Sequence, residues 1–143
     1  MKVSSKTLYT FQFLSALAIK ERKTPVQLRE IATEYDIPFK FLEQIAILMK
    51  SVGLVRGTRG KSGGYQLVEA PERIDLARVI QATEGEILPC ADIEGGHEVV
   101  GTLIRDVFAE QRELVQRHLS AITIADIAEK ARRHMEPAPM FYL

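Results

Sequence analysis

The sequence predicts a mainly α fold with a small β-hairpin wing: a winged helix-turn-helix followed by a long packing helix. Three observations predict it. Two helical periods are separated only by Asp36-Ile37-Pro38, which is helix-turn-helix spacing. Directly after them, short strand-like runs flank the glycine-rich stretch RGTRGKSGGYQL, residues 56–67. Further on, residues 98–119 carry an apolar seam close to a heptad repeat.

The elements follow in order. Residues 5–20 have an apolar stripe at Leu8, Phe11, Leu14 or Ser15, and Ala18, so they read as a first helix. A charged break, Lys20-Glu21-Arg22-Lys23, follows. Thr24-Pro25-Val26-Gln27 reads as a helix start, with Thr24 as N-cap, Pro25 at the first helical position and Gln27 completing a capping box. Leu28, Ile31, Ala32 and Tyr35 continue its buried side. Ile37 precedes a proline and is pushed out of the α region, which ends that helix. Pro38 opens a third helix with Phe39, Leu42, Ile45, Ala46 and Met49 in register, and Gly53 ends it.

Leu54-Val55-Arg56 and Tyr65-Gln66-Leu67 are then two short strands, and their hairpin is the wing. Ile74, Ala77, Val79 and Ile80 predict a helix over about 74–83, ended by Gly85. Residues 85–97 form a loop. In the long helix, Val100, Leu103, Val107 and Leu114 make the seam, and Ile104, Phe108 and Val115 widen it. Such a seam packs either into the chain's own core or against a partner, and few elements remain within the chain to cover it, which favours a partner. Thr123 and Asp126 form another capping box, opening a last helix to about residue 133. The division expected is a winged helix-turn-helix domain at 1–84, a loop at 85–97, and the long helix with the C-terminal helix at 98–143.

Charge narrows the function. The chain of 143 residues has zero formal net charge, but residues 1–66 are net +6 and the remainder net −6. A basic half beside an acidic half points to a polyanion as partner. No apolar run reaches the roughly 18 residues that span a bilayer, and the polar-interrupted N-terminus reads as a mature helix, not a leader. The single cysteine, Cys90, excludes an intrachain disulfide and suits a reducing cytoplasm. No paired carboxylates or Cys–His dyad at suggestive spacing argues for an enzyme.

The glycine-rich stretch suggests phosphate, but not a nucleotide cofactor. Gly60-Lys61-Ser62 matches the end of a P-loop, yet the glycine required five positions earlier is Val55. Gly63-Gly64 follows where a helix should open. A DNA-binding wing fits better. Glycines let the backbone approach closely, and an arginine at the tip, here Arg59, enters a narrow minor groove. Arg56 and Lys61 fall near phosphates, and Gly60, Gly63, Gly64 and Tyr65 are expected to meet the DNA with them. On the third helix, Lys40, Phe41, Glu43 and Gln44 face outward near its start. Lysine suits phosphate or guanine, glutamine adenine, and glutamate cytosine. A protein-interaction module on the same scaffold is the alternative, though the basic half speaks against it.

Val3-Ser4-Ser5-Lys6, the run Ile37 to Gln44, Gly53-Leu54-Val55, the run Arg59 to Leu67, and Ile124-Ala125-Asp126-Ile127 behind Thr123 together resemble the Rrf2 family of bacterial winged-helix transcription regulators. Phe41 stands where that family usually has tyrosine. The resemblance implies DNA contacts at Ser4 and Lys6 besides those above. It implies a homodimer whose long helices cross, a palindromic operator in double-stranded DNA, repression, and the bacterial cytoplasm. Many members hold an iron–sulfur cluster through three cysteines before the long helix. Here that loop has only Cys90, with Asp92, Glu94 and His97 nearby. One thiolate suits such a cluster poorly, so the chain resembles the cluster-free branch, with no cofactor expected. Cys90 and His97 are then the sensing candidates, and a small effector or a partner protein is the other possible signal.

Overall fold

The computed structural model describes residues 2–20, 24–88 and 95–137. Its elements are helices α1 (Ser5–Ile19), α2 (Leu28–Glu34) and α3 (Phe39–Ser51), strands β1 (Val55–Thr58) and β2 (Gly64–Leu67), a short 3-10 turn at Pro71–Arg73, and helices α4 (Leu76–Glu84), α5 (Glu98–Ser120) and α6 (Ile124–Met135). The fold is mainly helical with one antiparallel hairpin, as the sequence predicts.

Phe13, Leu14 and Leu17 of α1 meet Ile31 of α2 and Leu42, Ile45 and Met49 of α3 in one core, which Leu54, Ile74, Val79 and Ile124 complete. Burying each large side chain contributes about 1.5–3 kcal/mol. The buried side of α1 differs from the expected stripe. Leu8 is 52% exposed, whereas Phe13 is fully buried and Thr7 and Thr10 turn inward. The stripe is rotated because small hydroxyl side chains can be buried when bonded: Thr10 donates to the Lys6 carbonyl at 2.7 Å.

The predicted capping box at Thr24 does not form. Helix α2 begins at Leu28, and Gln27 precedes it without a side-chain cap bond. The reason lies in the wing. Val26 donates to the Tyr65 carbonyl (2.9 Å), and Tyr65 donates back to Val26 (2.8 Å). This bridge keeps residues 25–27 extended, so the hairpin gains a short third rung. The other stops hold. Asp36 takes φ +51° in the helix-turn-helix corner, and Gly53 takes φ +77° after α3, where its amide donates to the Lys50 carbonyl.

Helix α6 belongs spatially with the first 84 residues. Ile124 and Ala128 are buried in the common core, and Arg132 donates through Nη2 to the Ala18 carbonyl at 2.7 Å. A backbone bridge between Asp75 and Thr123 joins the starts of α4 and α6. The capping box at Thr123 and Asp126 forms in both directions. Helix α5 is different: none of its 23 residues is buried.

Candidate nucleic-acid interface

Helix α3 projects its outer side from a fixed base. Leu42, Ile45 and Met49 are buried, so Lys40, Phe41, Glu43 and Gln44 must face out, and all four are exposed. Helices α2 and α3 are locked at their corner by the Arg29 guanidinium, 4.3 Å from the centre of the Phe39 ring. Phe41 is only partly free, since its ring meets Tyr9 of α1 edge-on at 5.5 Å. Lys6, Lys40, Phe41, Gln44 and Ile45 line a cleft of ≈ 320 Å³ between the start of α1 and α3. Two ammonium groups and an amide therefore flank one opening.

The wing is a tight hairpin with Val55 opposite Leu67 and Thr58 opposite Gly64. The Gly63 amide donates to the Gly60 carbonyl at 3.0 Å, closing its tip. Its glycines divide by role. A side chain on Gly63 would collide with the Thr58 carbonyl, and one on Gly64 with the Val26 backbone. Gly60 has φ +107° and open space around it, so there the backbone itself is available. Tyr65 is half-buried, its ring edge-on to Phe13 at 6.2 Å. Gly63, Gly64 and Tyr65 thus fix the wing, while Arg56, Arg59, Gly60 and Lys61 are exposed on it. The Gln27 amide donates to the Lys61 carbonyl at 3.4 Å, tying the wing tip to the start of α2.

Among the described residues, no carboxylate forms a close ion pair with Lys6, Lys40, Arg56, Arg59 or Lys61, although Lys6 lies near enough to Glu84 for their charges to interact. Lys20, by contrast, is held by Glu30 (2.7 Å) and Glu34 (2.8 Å), and these bonds raise its pKa. Unpaired cations surround the cleft and the wing, which suits a polyanion.

Ser4 is the N-cap of α1, its hydroxyl accepting from the Thr7 amide. Its own amide donates to Glu84 at the end of α4 (2.8 Å), as does the Thr7 hydroxyl (2.5 Å). These hydrogen bonds, from the side chains of Ser4 and Thr7 and then the Ser4 amide, hold the Glu84 carboxyl down at about 2. Sequence reasoning missed this link and the Val26–Tyr65 bridge. The only local signal for the first was a serine just before an apolar helical run.

On α5, Val100, Leu103, Val107 and Leu114 are all exposed, as are Val99, Ile104 and Phe108. His97 caps this helix, its Nδ1 accepting from the Val100 amide at 3.4 Å. Cys90 lies outside the described residues, as do Asp92 and Glu94.

Comparison with known proteins decides the family. The family model for Rrf2, described as an iron-dependent transcriptional regulator, matches residues 3–130. The chain belongs to the Rrf2 family. It is 31% identical to the HTH-type transcriptional regulator CymR of Bacillus subtilis over 143 residues, the full length of both. The solved structure of CymR from B. subtilis superposes with a TM-score of 0.76 at 29% identity, covering 91% of this chain and 98% of that one. T. potens IscR gives 0.77 at 27% identity, over 97% and 94%. This Rrf2 protein is a DNA-binding transcription regulator with a winged helix-turn-helix, not an enzyme. Among the described residues, no helix is long and apolar enough to cross a membrane.

The family description implies iron, and the donors here do not fit it. The chain has one cysteine, where an iron–sulfur cluster is held by several Cys thiolates. Among the described residues, no three His, Cys, Asp or Glu side chains gather into a metal site.

Proposed function

We propose that this regulator is a cytoplasmic bacterial homodimer that represses transcription from a palindromic operator. Its body is residues 1–84 with α6, and its dimerisation arm is α5. Lys6 and Lys40 bind phosphates on either side of the cleft, with Ser4 placing the end of α1 beside them. Gln44 and Glu43 read base edges in the major groove. Arg59 enters the minor groove, Arg56 and Lys61 hold its flanking phosphates, and Gly60 lets the tip approach. Residues 85–97, with Cys90 and His97, carry the signal to α5.

The observation that best supports the interface is the set of unpaired cations around the cleft and the wing. The exposed seam of α5 supports the dimer. Arg59→Ala tests the wing. Fluorescence anisotropy on DNA from the gene's own promoter, at several salt concentrations, should give about tenfold weaker binding and a salt slope smaller by about one. Unchanged affinity and slope would remove Arg59 from the interface.

A further inference from the structure

We infer that the cavity between the end of α4 and the second half of α5 binds a small α-amino acid, recognised by Arg112 and Glu86. Gln81 of α4, Glu86 and Ile87 just beyond it, and Arg112 and Gln116 of α5 line this cavity. It is an open, mainly polar cleft of ≈ 400 Å³, with room for a small ligand. Arg112 and Glu86 bring opposite charges to one cavity, yet no ion pair joins them. Neither has another charged partner among the described residues. An unpaired guanidinium takes a carboxylate through two parallel hydrogen bonds. An unpaired carboxylate takes an ammonium. An α-amino acid carries both groups on one carbon and so could engage both side chains. Gln81 and Gln116 add amide donors and acceptors, and Ile87 an apolar contact.

A second copy of the chain centred on Val100, Leu103, Val107 and Leu114 would lie on another side of α5 from this cleft. At about 100° per residue, Arg112 and Gln116 lie roughly 120–160° round the helix from Val100, near which the seam is centred. They are on the side of α5 that faces α4. The cavity also bears on the DNA-facing end of the molecule. Gln81 is one turn before Glu84, which holds the Ser4 amide and the Thr7 hydroxyl beside Lys6. A ligand drawing Gln81 toward α5 moves that end of α4, and with it the start of α1. This control rests on the DNA-binding function proposed above, whereas the binding itself does not.

Isothermal titration of the full chain against each of the twenty common L-amino acids tests the site, with propionate and propylamine as probes carrying one charge each. At least one amino acid should bind saturably, and both one-charge probes should bind at least tenfold more weakly. Arg112→Gln and Glu86→Gln should each weaken that binding at least tenfold while leaving the far-UV circular dichroism and the sedimentation coefficient unchanged. Saturable binding by none of the twenty overturns the site. Equal binding in both variants overturns it too, and so does a change of oligomeric state in Arg112→Gln, which would make the cavity a subunit contact. The titration needs no DNA. Operator binding without any amino-acid heat would sink the cavity alone, and amino-acid binding without operator affinity would sink the regulator alone.

Discussion

Helices α3 and α5 carry the same kind of apolar period and meet opposite fates. Helix α3 has 13 residues and buries Leu42, Ile45, Ala46 and Met49. Helix α5 has 23 residues and buries none. The difference is in what meets them. Helix α3 is held between α1, α2 and β1, whereas α5 has α4 as its main neighbour in the chain. An apolar period states that a helix side needs cover, but not that the same chain supplies it. The sharpest way to break this contrast is a pair of truncations. Leu42→Ala should cost about 2–5 kcal/mol in urea denaturation, through lost transfer energy and a residual cavity. Leu103→Ala, measured at dilutions where the chain is monomeric, should stay within about 0.5 kcal/mol. Equal losses would show that α5 is already covered within one chain.

A charge on the seam sharpens the same contrast from the other side. Leu103→Glu with Val107→Glu places two carboxylates where a partner helix would lie. Burying unpaired charge costs several kcal/mol, so the dimer dissociation constant should rise about a hundredfold or more. Sedimentation across a dilution series reads it. The body should keep its melting transition, since neither residue touches its core. An unchanged dimer would move the interface elsewhere.

The same distinction explains how much the sequence disclosed. Elements fixed by neighbours in the chain were legible: the Asp36-Ile37-Pro38 corner, Gly53 at its positive φ, the Thr123–Asp126 box, and the hairpin. Elements fixed from a distance were not. Thr24 and Gln27 spell a capping box as well as Thr123 and Asp126 do, but Val26 pairs with a strand nearly forty residues away. Lys40 and Gln44 could be read because burial of Leu42 and Ile45 forces them outward, and Arg59 and Lys61 because they sit among exposed residues at the turn of a hairpin. That Gly63, Gly64 and Tyr65 build the wing, while Gly60 stays open, needed the third dimension.

The two boxes offer a smaller test. Thr123→Ala should destabilise the body by about 1 kcal/mol, since it frees the amide of Asp126 and opens the helix that returns the chain from α5 to the core. Thr24→Ala, with no cap to lose, should fall within about 0.5 kcal/mol. Chemical denaturation of both variants separates them, and equal losses would restore the helix start at Thr24.

The smallest effect expected concerns the bond network that joins the two ends of the body. Glu84 sits at the C-terminal end of α4, where the helix dipole disfavours a carboxylate. It is kept ionised by hydrogen bonds from Ser4 and Thr7, which draw its pKa from 4.5 down to about 2. A carboxyl whose folded pKa lies below its unfolded value contributes stability that is fully present above the unfolded value. That contribution fades as pH falls from about 4.5 to about 2. Glu84→Gln keeps the shape and removes the charge. The gap in stability between the parent and Glu84→Gln should therefore be constant from neutral pH to about 5 and close toward pH 2. Its small size follows from exposure, because water screens the carboxylate and competes for the same donors. Denaturation curves at pH 7, 5, 3.5 and 2.5 measure the gap. A gap independent of pH would mean that the charge of Glu84 contributes nothing, and that Ser4 and Thr7 are satisfied as well by a neutral amide.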